Sequence, residues 1–158
     1  MADLHIDDFY KDVARIFTHL YASFPRKIIL YVEDICGPDT PDEFGLPSPR
    51  FLSCFSTMIW LAEAGYINYD THIRQEALDQ VTLSQRGLTL LYSRCAIQSV
   101  SGSSATETLT DDPDNTGAHA YPNNIARLRY ALKHGSSHML EQLVQHLLHQ
   151  PYSAKPAG

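Results

Sequence analysis

Three histidines near the C-terminal end have the spacing in this chain that comes closest to a reactive site. His134 and His138 are four residues apart and His146 lies eight beyond His138, so on a helix the imidazoles would share a face and could hold a metal ion. No cysteine and no carboxylate other than Glu141 stands at ligand spacing beside them, and solvated helix histidines are the simpler reading. Cys36, Cys54 and Cys95 are odd in number and widely spaced, unlike a disulfide framework or a zinc site, and read as small core residues. Asp111 and Asp112 are adjacent but lie in a polar stretch that could not hold two carboxylates rigidly. Ser53-Cys54 has no histidine and acid grouped with it, and the glycines form neither a dinucleotide fingerprint nor a phosphate loop. The residues therefore predict no catalytic group, no cofactor and no resident metal, and no enzyme is expected.

Charge bears on what would be bound. The 158 residues carry 12 Lys or Arg against 18 Asp or Glu, a net charge of −6. Eight of the cations and thirteen of the anions lie before residue 96, so the acidity belongs to the part expected to fold. Nucleic-acid binders gain most of their affinity by neutralising phosphates, and an acidic domain can do so only by clustering its few cations. No apolar run approaches the ~18 residues that cross a bilayer, and the acidic MADLHIDDFYKD start lacks the pattern of a signal peptide. A cytoplasmic protein without membrane contact is the expectation.

The elements that would position these residues follow from periodicity. Phe9, Val13, Ile16, Phe17, Leu20 and Phe24 recur at threes and fours, which predicts a helix from about Ile6 to Ser23, stopped by Pro25. Arg26 to Val32 reads as a strand, Glu33–Cys36 as one helical turn, and the proline- and glycine-rich stretch 37–47 as a loop. Ser48 and Pro49 form a helix start, and Gly65 a helix stop. Between them Phe51, Leu52, Phe55, Met58, Ile59 and Ala62 define the expected inward face. Tyr66–Tyr69 and Gln80–Leu83 predict an antiparallel hairpin packed on that helix, with the polar residues 70–79 connecting them. Ser84 caps a further helix carrying Leu88, Leu91 and Tyr92. Residues 98–121 are Ser, Thr, Asp and Gly with almost no core residue, the composition of a flexible linker. A last helix from Asn124 to His149 carries Ile125, Leu128, Leu132, Met139, Leu140, Leu143, Leu147 and Leu148, with a possible bend at Gly135. The expected division is thus a domain over 1–97, a linker over 98–121, a C-terminal helix within 122–150, and a disordered tail over 151–158.

The order helix, strand, short helix, helix, strand, loop, strand, helix is that of a winged helix. Met58-Ile59-Trp60-Leu61-Ala62-Glu63-Ala64-Gly65-Tyr66-Ile67 resembles the end of a winged-helix recognition helix entering its first wing strand. Val81-Thr82-Leu83-Ser84-Gln85-Arg86-Gly87-Leu88-Thr89-Leu90-Leu91 is similar to the second wing strand and following helix of small MarR-like and PadR-like bacterial regulators. The resemblance covers about residues 28–92. It implies a mainly α fold with a small antiparallel β-wing (α+β), a winged helix followed by the C-terminal helix.

It also implies a function. In such regulators the long helix enters the major groove of DNA and the wing touches the backbone. On this chain the groove face would be Arg50, Ser53, Ser56 and Thr57, and the wing would offer His72, Arg74 and Gln75 to double-stranded DNA. A dimer paired through the leucine side of the C-terminal helix would then act in transcription regulation. Winged helices also serve as protein-interaction modules. That alternative is kept by the acidic Asp39, Asp42 and Glu43 beside the long helix, by the acids around Arg74, and by Trp60 near its polar side.

Overall fold

The computed structural model describes residues 4–94 and 123–150. Helix α1, Leu4–Ser23, is the centre of the molecule. Its apolar stripe places Val13, Ile16, Phe17 and Leu20 at zero exposure, and the helix is followed in order by β1 (Ile28–Tyr31), α2 (Val32–Cys36), α3 (Pro49–Glu63), β2 (Ile67–Asn68), β3 (Thr71–Ile73), β4 (Ala77–Leu83) and α4 (Gln85–Tyr92). Helices α5 (Asn124–His134) and α6 (Ser137–His149) complete the described chain. The fold is mainly α with a small antiparallel sheet from which a β-wing projects, an α+β protein.

Strand β4 is the middle of the sheet. On one side it pairs with β1 through Ile28↔Val81, Leu30↔Leu78 and Tyr31↔Ala77. On the other it pairs with β2 through Ile67↔Leu83 and with β3 through Thr71↔Asp79 and Ile73↔Ala77. The predicted hairpin is present and longer than expected. Residues 70–79 are not a polar connection: pairing continues through β3, and the turn is confined to Arg74, Gln75 and Glu76, with Arg74 at a φ of 50°. Strand β1 pairs with the same stretch of β4, where Ala77 and Leu78 are fully buried.

Helix α3 starts as read: the Ser48 hydroxyl accepts from the Phe51 amide at 3.3 Å, Pro49 sits in the first turn, and Gly65 follows the helix at a φ of +85°. Its inward face is rotated from the expected one. The buried residues are Phe51, Cys54, Thr57, Met58 and Leu61, whereas Leu52, Phe55, Ile59 and Ala62 are only half-buried. Packing of α1 along the flank that carries Cys54, Thr57 and Leu61 decides this. An apolar count on α3 alone does not distinguish two adjacent hydrophobic faces.

The C-terminal stretch is two helices. Gly135 is extended, with a ψ of 157°, and the Ser136 hydroxyl accepts from the Met139 amide at 3.2 Å to start α6. Both helices fold back. Ile125, Leu128, Ala131, Leu140, Leu143, Val144 and Leu147 are buried in the same core as α1, α3 and the sheet. Gln145 donates to the Tyr10 hydroxyl at 3.1 Å, the Tyr66 hydroxyl to the Leu148 carbonyl at 3.4 Å, and the Asn124 amide to the Leu90 carbonyl at 2.7 Å. The leucine side that the sequence offered to a second subunit is therefore covered within the chain. Leucine-rich amphipathicity states that a face must be buried and leaves open against what. The expected linker 98–121, the tail 151–158 and Cys95 lie outside the described residues.

Candidate docking surface

Arg50, expected on a groove face, points into the protein. Its guanidinium donates to both carboxylate oxygens of Asp12, at 2.7 and 2.6 Å, and lies 3.6 Å from Asp8. Asp12 has no solvent exposure, and Arg50 is 33% exposed. Asp8 and Asp12 stand four apart on α1, one above the other on the face turned to α3. Taking Asp12 out of water demands a partner with matched donors, and the planar fork of arginine supplies two. This pairing raises the Arg50 pKa above its already high ordinary value, chiefly through the hydrogen bonds to Asp12. The signal lay in the sequence as an acid at the edge of the apolar stripe of α1.

The other expected contacts do not gather on one face. Thr57 is buried, and its hydroxyl donates to the Ser53 carbonyl at 3.0 Å. The exposed Ser56 hydroxyl donates to Leu52 at 2.9 Å. Ser53, Ser56 and Thr57 line one wall of a small open depression, with His5, Ile6 and Phe9 of α1 and Trp60 of α3 on the others. The N-terminal half of α1 thus runs beside the side chains that would have read bases. Trp60 is explained by the same packing: Phe9 meets it edge-on at 5.3 Å and Tyr66 stacks on it at 6.5 Å. His72, Arg74 and Gln75 stand together at the exposed wing turn, where the His72 ring lies 3.1 Å from the Arg74 carbonyl and Arg74 is 4.0 Å from Glu76.

The exposed positions of the long helix are Pro49, Ser56, Trp60 and Glu63, while Leu52, Phe55 and Ile59 are half-buried. Phe55 and Ile59 pack against the core, and Phe55 meets His72 of the wing edge-on at 6.3 Å. The loop 37–48 that leads into this helix is held by its own hydrogen bonds. The Asp42 carboxylate accepts from the amides of Phe44 and Leu46, both at 2.9 Å, the Asp42 amide donates to the Leu46 carbonyl at 3.1 Å, and Asp39 accepts from Ser48 at 3.2 Å. The result presents Phe44 and Leu46, 79% and 59% exposed, on a fixed backbone. Composition had marked this stretch as a loop, and its apolar pair carried no periodicity by which to be noticed.

The residues carrying the winged-helix resemblance perform structural work. Ser84 accepts from the Gly87 amide at 3.1 Å and donates to the Gly65 carbonyl at 2.5 Å, tying the start of α4 to the end of α3. Arg86 donates to the Ala64 carbonyl at 2.6 Å and lies 4.4 Å over the Tyr66 ring. A Cβ on Gly87 would collide with the Tyr66 carbonyl oxygen, so only glycine allows the strand so close.

The thiols of Cys36 and Cys54 face each other as free cysteines. Burial pushes both above the ordinary thiol value, Cys54 the further, with the Asp12 carboxylate adding to it. Thiols held in the protonated form are poor nucleophiles and metal ligands. Among the described residues no three His, Cys, Asp or Glu side chains stand where they could hold a metal ion. His138 is 3.9 Å from Glu141 and 3.0 Å from Gln142, while His146 is 3.2 Å from Gln150. No described helix is long and apolar enough to cross a membrane. Comparison with protein families, curated proteins and solved structures finds no match to this chain.

Proposed function

We propose that this chain is a protein-interaction module of winged-helix type, docking through loop 37–48. The observation that carries this reading is the state of the long helix and of the loop that leads into it. The arginine of the helix is held by a buried aspartate, and the loop presents Phe44 and Leu46 exposed on a hydrogen-bonded backbone. Base edges and phosphates call for cationic and amide side chains, whereas exposed aromatic and aliphatic residues on a rigid backbone suit a protein surface. The strand order, with β1 on one side of β4 and the β2–β3 arm of the hairpin on the other, is compatible with the winged-helix part of the reading. The net charge of −6 supports a protein partner over DNA.

One observation favours the other reading, a winged-helix regulator that binds DNA: Arg74, 84% exposed at the wing turn, could meet a phosphate. A retardation assay with bulk genomic DNA at ~50 mM salt, where phosphate contacts are strongest, separates the two. The docking reading predicts no retardation. Retardation that Arg74→Ala abolishes would overturn it in favour of the DNA regulator.

A further inference from the structure

We infer that the partner of this docking surface is a second copy of the chain, which receives the Phe44 loop on the outer face of α5. The inference rests on the docking reading and supplies its occupant.

The two surfaces complement each other in charge and in apolarity. From Glu33 to Ser48 the chain carries Glu33, Asp34, Asp39, Asp42 and Glu43 and no Lys or Arg, and Asp42 and Glu43, both exposed, directly precede Phe44. Helix α5 has the reverse composition, with Arg127, Arg129 and Lys133 and no acid. At 100° per residue Arg129, Tyr130, Lys133 and His134 fall on one side of it, and all four are exposed. Two rings give that side a fixed shape: Tyr130 lies 5.0 Å from His134, and the Arg129 guanidinium lies 5.3 Å over Tyr21 of α1. Met139, 47% exposed at the start of α6, extends it.

The surfaces cannot meet within one molecule. α1 meets α2 and α3 through Asp8, Asp12 and Arg15, and α5 and α6 through Tyr21 and Tyr10. These two sets lie on roughly opposite sides of α1. A loop on one side and its receptor on the other make a head-to-tail contact, which grows into a ring or an open chain rather than stopping at a two-fold dimer. The leucine side of the C-terminal helices takes no part. One loop on one helix face buries less than the ~1,200 Å² of a standard interface, so the dissociation constant expected is of the order of 10–100 µM.

Sedimentation velocity on the full chain tests this. At ~50 mM salt the weight-average mass should rise with concentration from ~10 µM to ~1 mM, and at ~500 mM salt it should fall towards the monomer. Phe44→Ala should weaken association about tenfold or more. Glu43→Lys and Lys133→Glu should each weaken it alone, and an equimolar mixture of the two should associate again, because each restores opposite charges across the contact. All three positions are exposed, so the melting temperatures should match that of the parent chain. A chain that stays monomeric at ~1 mM and low salt, or one that associates independently of Phe44 and of both charge reversals, overturns the inference. The DNA-retardation result is independent of these outcomes, so a monomer that leaves DNA unshifted overturns self-docking and leaves the docking reading standing.

Discussion

Arg50 and Asp12 are joined by two hydrogen bonds of 2.7 and 2.6 Å across the interface between α3 and α1, and Asp12 is wholly removed from water. An arginine that sequence alone would aim at DNA is thereby a strut of the fold. Removing it leaves a buried carboxylate with no cation. Losing one member of a fully buried pair costs about 3–5 kcal/mol, and the 33% exposure of Arg50 lets water soften this, so Arg50→Ala should cost roughly 2–3 kcal/mol. Urea denaturation checks it, and Arg50→Ala combined with Asp12→Ala should be less than the sum of the single effects. Additive effects would contradict the pairing.

The motif that resembles a winged helix makes its own prediction. Gly87→Ala drives a methyl group into the Tyr66 carbonyl, and backbone must move to admit it. The cost should be at least about 2 kcal/mol. Ser84→Ala loses both the cap on Gly87 and the bond to Gly65, which should cost roughly 1–2 kcal/mol. Thermal melts of the two variants read both, and a Gly87→Ala chain as stable as its parent would refute the close approach.

Much of this fold was legible because local signals sufficed. Ser48, Pro49 and Gly65 bound α3 in the sequence as they do in the structure, and Ser84 marks α4 in the same way. The hairpin of residues 67–83 follows from its two apolar ends. What was not legible depends on contacts between distant elements. Whether Leu52 or Cys54 faces the core is settled by where α1 lies. Whether Arg50 faces solvent is settled by an aspartate 38 positions earlier. Whether Leu140 and Leu143 meet another subunit or α1 is a matter of tertiary geometry, on which amphipathic spacing is silent. Of the expected site residues, His72, Arg74 and Gln75 are gathered at the wing as read, whereas Thr57 is buried and the half-buried Arg50 is turned to Asp12.

The C-terminal helices also bear on how the chain can be divided. If the C-terminal helices were an appendage to the domain over 1–97, a chain cut after Tyr121 would remain folded. Ile125, Leu128, Leu140, Leu143, Val144 and Leu147, each at most 4% exposed, pack in the common core. At about 1.5–3 kcal/mol for each large apolar side chain buried, their loss is as large as the ~5–15 kcal/mol that holds a typical domain together. The truncated chain should therefore aggregate or lose its cooperative melt. A sharp, reversible transition in residues 1–121 would show that the helices are an appendage instead.

The central claim, that the long helix is not a DNA-reading element, is tested residue by residue by titrating ¹⁵N-labelled protein with a mixed-sequence DNA duplex at ~50 mM salt, where a phosphate-binding surface would respond most strongly. The account predicts that the amide resonances of Arg50, Ser53, Ser56 and Thr57 stay where they are at saturating duplex. Progressive shifts concentrated on those four residues, accompanied by shifts at His72, Arg74 and Gln75, would contradict it.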